Sequence, residues 1–163
     1  MSKTTDTKEI VTLRKQLADL LTKAEAHASF DDVVKGFPGK LHGVVPEGLP
    51  YSAWQLLDHL RIAQNDILRF STESKYKSPA WPMGYWAKKP EPPSGTAWPE
   101  AVKQVTTDRD AFVKLIATED LFAPFAWGDG QTLLREALLI ADHNAYHVGE
   151  LLMVRRLLGA WKK

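Results

Sequence analysis

His143-Asn-Ala-Tyr-His147 is the segment with the clearest capacity for chemistry. Residues four apart on an α-helix stand one turn above each other on the same face. Two imidazoles so placed can bind one metal ion. At 100° per residue, Glu136, His143, His147 and Glu150 fall within roughly 60° of one another, beside Ile140, Leu151, Val154 and Leu158. A competing reading starts from the adjoining arc, where Arg135, Asp142, Tyr146 and Arg156 suggest one broad solvated face. Leu139, Met153 and Leu157 interrupt that arc. The pair also lacks the glutamate that follows the first histidine in HExxH metalloproteases.

His59 adds a third candidate ligand. It lies within an apolar arc of Leu56, Leu60, Ala63, Ile67 and Phe70, and a histidine facing a core needs partners for both ring nitrogens. It is either a satisfied core residue or a ligand. Gln55 and Asp66 share its face, and either could orient a ligand from behind. Three neutral imidazoles leave positions open on zinc, nickel or iron(II), which is the arrangement of a catalytic rather than a structural site. The chain has no cysteine with which to close a structural zinc site. His27, at the end of a helix, and His42, in a Gly-rich loop, read as structural or exposed.

The elements that must position these groups are helices. Ile10, Leu13, Leu17, Leu20, Leu21 and Ala24 recur at helical spacing over Thr7 to His27. A second helix spans Ala53 to Phe70, opened by the capping box Ser52-Ala-Trp-Gln55. A third spans Pro99 to Thr118, with proline in the first turn. A fourth runs from Leu133 to Leu158, with Thr132 to cap it and Gly159 to end it. No stretch alternates as a strand does, so the expected fold is an all-α four-helix bundle. Two connections are long. Ser29–Pro50 has room for one short helical turn at Phe30-Asp-Asp-Val-Val34. Ser71–Trp98, rich in proline and aromatics, fits a crossover packed on the bundle, and loops of this length are usually functional.

At 163 residues, 44% hydrophobic and 25% charged, the chain suits one domain with its own core over residues 1–163. Lys+Arg 21 against Asp+Glu 20 leaves a net charge of +1, which offers no basic stripe for nucleic acid. Arg155, Arg156, Lys162 and Lys163 read as favourable company for a helix C-terminus. The polar stretch Met1–Ile10 is no signal peptide, and no apolar run approaches a bilayer span. A cytoplasmic location without membrane contact is the expectation. There is no GxSxG elbow and no P-loop.

Two segments carry a family resemblance. Ser52-Ala-Trp-Gln-Leu-Leu-Asp-His59-Leu-Arg-Ile-Ala-Gln-Asn-Asp66-Ile-Leu is one. Thr132-Leu-Leu-Arg-Glu136-Ala-Leu-Leu-Ile-Ala-Asp-His143-Asn-Ala-Tyr-His147-Val-Gly-Glu150, with its Arg-Arg-Leu-Leu-Gly159 ending, is the other and the more specific. Together they resemble the DinB-like superfamily over nearly the whole chain. The resemblance implies a four-helix bundle in up-down-down-up order, with the long crossover between helices 2 and 3. It implies a divalent metal held by His59, His143 and His147, and a homodimer. It also implies kinship with transferases and isomerases that use low-molecular-weight thiols such as bacillithiol or mycothiol. Many relatives have glutamate before the second-helix histidine, where this chain has Asp58.

The expected function is thus metal-dependent chemistry on a small molecule, by hydrolysis or thiol transfer, under the cover of the Ser71–Trp98 loop. The alternative is a non-catalytic dimeric interaction module in which the histidines only fill hydrogen-bonding roles.

Overall fold

A computed structural model describes residues 7–23 and 25–161. Among them are five α-helices and no strand, only one isolated bridge between Pro124 and Thr132. The helices are α1 (Lys8–Thr22), α2 (Phe30–Val34), α3 (Ala53–Thr72), α4 (Ala97–Thr118) and α5 (Leu133–Leu157). Short 3₁₀ turns interrupt the connections at Gly39–Leu41 and Met83–Tyr85.

Local sequence accounts for most helix ends. Ser52 and Gln55 form the expected capping box on α3, and Ser29 and Asp32 form a second on α2. Thr132 accepts a hydrogen bond from the Arg135 amide at 3.2 Å and caps α5. A cap of this kind contributes about 1 kcal/mol. At the other end Gly159 takes φ +67°, the left-handed conformation, and its amide bonds to Arg156 while the Ala160 amide bonds to Arg155. That is a Schellman ending, which favours glycine. Pro99 falls in the first turn of α4, although the helix begins two residues earlier, at Ala97. α1 stops at Thr22, short of the expected His27, and Lys23 is extended. Ala24, Met1–Asp6, Lys162 and Lys163 lie outside the described residues.

α3 packs on both α4 and α5, and so does α1. The apolar core falls into two clusters. One gathers Trp54, Leu57, Leu60, Trp98, Val105 and Leu151 with the α2 turn. The other gathers Leu17, Ile67, Phe112, Ile116, Leu133 and Ile140. Between them lies a polar layer. Asn144 donates to Gln64 at 2.7 Å, Gln64 donates to the Val105 carbonyl at 2.7 Å, and Asn65 donates to Asp108 at 2.9 Å. Buried amides need such partners, because an unmade hydrogen bond in a low-dielectric interior is costly. The three candidate histidines sit next to this layer.

Arg155 does not belong to a basic surface. It is buried, it donates to the backbone carbonyls of Asp32, Val33 and Ala160, and its guanidinium lies over Phe37 and Trp161. It fastens α5 to α2. None of the described helices is long and apolar enough to cross a membrane.

Candidate metal centre

α5 presents His143 and His147 one turn apart, and α3 presents His59 towards them from its buried face. His59 Nε2 lies 3.1 Å from His147 Nε2 and 3.1 Å from His143 Nε2. One nitrogen from each ring lies within 4.8 Å of the others, a grouping that can hold a metal ion.

The far sides of two rings set the proton positions. His59 Nδ1 is 2.9 Å from the Tyr85 carbonyl oxygen, and His147 Nδ1 is 2.7 Å from Glu150 Oε2. Both oxygens can only accept, so each Nδ1 carries the proton. In the neutral rings both Nε2 atoms therefore bear lone pairs, and these face each other with no hydrogen between them. Two acceptors at 3.1 Å repel unless a cation lies between them. Bonds of about 2.0–2.1 Å to a shared ion at near-tetrahedral angles separate two ring nitrogens by about 3.3 Å. The three residues thus fit a divalent metal by donor type and spacing, and His59 and His147 by tautomer as well. His143 Nδ1 is buried without a hydrogen-bond partner.

Electrostatics keep the rings available. Burial first, then the neighbouring rings, lowers His143 to about 4. Burial, then His59, lowers His147 to about 4. Burial likewise lowers His59, against the upward pull of the Tyr85 carbonyl. With His147 neutral, its contact to Glu150 is a hydrogen bond to a carboxylate rather than an ion pair. Burial raises Glu150.

The connection between α3 and α4 completes the site. Trp86 stacks on the His59 ring at 3.9 Å and 3°, and Tyr51 stacks on Trp86 at 4.1 Å. The N-cap Ser52 and two side chains of α3 grip carbonyls of this segment: Ser52 to Pro90, Gln55 to Ala87 and His59 to Tyr85. The Tyr85 hydroxyl donates to Asp66 Oδ2 at 2.7 Å. Burial, then Asp66, raises that phenol to about 12, so it serves as a donor at neutral pH. The histidines open onto a cavity of about 380 Å³ whose walls include Trp81, Tyr85, Trp86, Ile67 and Leu139.

Other expected participants stand elsewhere. Gln55 is taken up by the cap and by Ala87, so it does not orient His59. Glu136 is buried against Arg135 and does not join the histidines. Asp58 pairs with Arg61 at 2.8 Å and lines a separate cleft, which removes it from the ligand geometry. His27 is exposed, with its ring against the Ala28 carbonyl, and His42 is buried, bonded to the Phe37 carbonyl and stacked on Trp98. No sequence motif marks the Tyr85 carbonyl. The Trp86 stack is a packing contact of the kind that the aromatics of the Ser71–Trp98 connection suggested.

Fold and site together define a class: a helical protein with three inward imidazoles from two helices and an adjoining cavity. The model of the DinB superfamily matches residues 13–151, and the chain belongs to that superfamily. Comparison with the curated proteins gives no match, and neither does comparison with the solved structures.

Proposed function

We propose that His59, His143 and His147 hold one divalent metal ion, zinc, nickel or iron, and that the protein acts on a small molecule by hydrolysis or thiol transfer. The observation that carries this reading is the approach of the His59 and His147 Nε2 atoms to 3.1 Å with their opposite nitrogens on the Tyr85 carbonyl and Glu150, a pairing that leaves both Nε2 lone pairs free for a metal. A metal in that position supplies Lewis acidity to a water or a thiol. The chain's own part is to hold and orient. Glu150 and the Tyr85 carbonyl fix the ring tautomers, Trp86 shields one face of His59 from solvent, and the cavity receives the substrate. Elemental analysis of protein purified without an affinity tag tests this. About one metal per chain is expected in the wild type and close to none in His143→Ala. Substoichiometric metal that the substitution leaves unchanged counts against it.

We read the four long helices as up-down-down-up. Arg61 with Gln104 and Asn65 with Asp108 advance together along α3 and α4. On α3 and α5, His59 with His147 and Gln64 with Asn144 run in opposite senses. Arg14 bonds to the Ile116 carbonyl while Leu21 shares a cavity wall with Val105, which sets α1 against α4.

A homodimer belongs to the same reading. Tyr146 (64% exposed), Met153 (47%) and Leu157 (56%) line one outer stripe of α5. Large apolar groups grouped in this way suit a partner surface. Light scattering is expected to give twice the chain mass, and Met153→Glu to shift it towards the monomer. A monomeric wild type removes the dimer and leaves the metal site standing.

A further inference from the structure

Two buried atoms beside the triad have no hydrogen-bond partner among the described residues: His143 Nδ1 and Asn144 Oδ1. They belong to consecutive residues of α5, and the Asn144 carboxamide stands close enough to the His143 ring to pull its pKa upward. A buried polar atom left unpaired costs about 1–3 kcal/mol, so two of them side by side point to a common cause.

The orientation of Asn144 is fixed from its far side. A backbone carbonyl can only accept, so the 2.7 Å contact to Val105 on α4 identifies the Gln64 nitrogen as the donor there. The Gln64 oxygen therefore faces α5 and needs a donor, which Asn144 Nδ2 supplies at 2.7 Å. Turning over either amide alone sets like atoms against each other. What Asn144 has left for the ring is its oxygen, an acceptor. The two neutral tautomers of His143 are then unequal. With the proton on Nε2, Nδ1 and Asn144 Oδ1 are both bare acceptors. With it on Nδ1, one hydrogen bond satisfies both atoms, and Nε2 turns a lone pair towards His59. An Nε2 proton has a competing acceptor in His59 Nε2 at 3.1 Å, and Asn144 weighs against that arrangement.

We propose that Asn144 is a positioning residue that holds the His143 proton on Nδ1 and so makes its Nε2 a metal ligand, with Gln64 and the Val105 carbonyl fixing the amide from behind. Each imidazole then has its own oxygen behind it: the Tyr85 carbonyl for His59, Glu150 for His147 and Asn144 for His143. The ligand role rests on the preceding reading; the proton preference needs no metal.

The first measurement is therefore the His143 tautomer ratio, read by NMR from isotope-labelled ring nitrogens in chelator-treated full-length protein near pH 7, where burial keeps the ring neutral. Asn144→Leu is expected to move the ratio about three- to tenfold towards the Nε2 proton, the contribution of one hydrogen bond. Asn144→Asp keeps an oxygen for the ring and gives up the donor to Gln64, so it is expected to hold the wild-type ratio or exceed it. The second measurement is zinc affinity by competition with an indicator. Asn144→Leu is expected to lower it about 10–100-fold. Gln64→Met, which frees the Asn144 amide to turn, is expected to lower it about threefold on its own and to add nothing in the Asn144→Leu background. Three outcomes overturn the proposal: a tautomer ratio that Asn144→Leu leaves unchanged, Asn144→Asp matching Asn144→Leu, or stoichiometric zinc whose affinity ignores Asn144→Leu. The second of these would assign the effect to the lost contact with Gln64. A wild type that binds no zinc while the ratio shifts as expected would remove the metal reading and leave the hold of Asn144 on the proton.

Discussion

Zinc added to metal-free protein near pH 7.5 is expected to raise the thermal midpoint by about 5–10 °C. An ion at about a hundred times its dissociation constant stabilises the native state by about 2.7 kcal/mol. In a chain of this size each kcal/mol moves the midpoint by about 2–4 °C. His143→Ala and His147→Ala should each abolish the rise, because two imidazoles alone hold the ion far less tightly. The pH dependence separates this from non-specific binding. In the metal-free native state His143 and His147 are both lowered to about 4, whereas the unfolded chain titrates near the ordinary 6.5. Between those values the unfolded state carries more protons, so native stability falls as pH drops from about 6.5 to about 4 and is fully present above that window. The slope should be shallower in either alanine variant. Protons compete with the ion only where the native rings accept them, so the zinc-induced rise should persist at about pH 5.5. A rise that disappears with a midpoint near 6.5 would mean that the rings are solvated and the ion is bound elsewhere.

The parts of this site legible in the sequence are those fixed by helical periodicity. The pair His143 and His147 follows from four-residue spacing, and the inward aim of His59 follows from its apolar neighbours. Their convergence is a packing result, and one-dimensional periodicity does not contain it. The wheel placed Glu136 and Glu150 on the same arc as the histidines, yet only Glu150 reaches an imidazole. Angle around a helix does not specify which neighbouring element covers each turn, and Arg135 claims Glu136 instead. Gln55 had the right angle as well, but α3 begins beside it and the capping box takes its side chain. The grip on His59 comes from a backbone carbonyl, a group every residue carries, so no residue type could announce Tyr85. Arg155 stands in the last turn of α5, where a cation suits the helix C-terminus, but helical position alone does not reveal that three carbonyls and two aromatic faces hold it inside.

Glu150 is where the behaviour of a ligand can be separated from that of a merely buried histidine. Its carboxylate accepts from His147 Nδ1 and lies outside the ring of nitrogens. A carboxylate behind a ligating imidazole fixes the tautomer and makes the opposite nitrogen more basic, and losing such a partner typically lowers metal affinity 10–100-fold. Glu150→Ala is expected to fall in that range when measured by competition with a zinc indicator. Glu150→Gln should fall less, because an amide oxygen still accepts the hydrogen bond while the charge is gone. The far-UV circular dichroism of both variants should be unchanged, since Glu150 lies at the surface end of the contact, where its side chain is 35% exposed. Asp58→Asn supplies the control: that carboxylate pairs with Arg61 on another face of α3, so zinc affinity should stay within about twofold. If both acidic positions prove equally indifferent, the His147–Glu150 contact is an ordinary helix-surface hydrogen bond. Tyr85 alone would then fix a tautomer in the His59–His147 pair, His147 Nε2 could carry a proton and donate to His59 Nε2, and no cation would be needed between the rings.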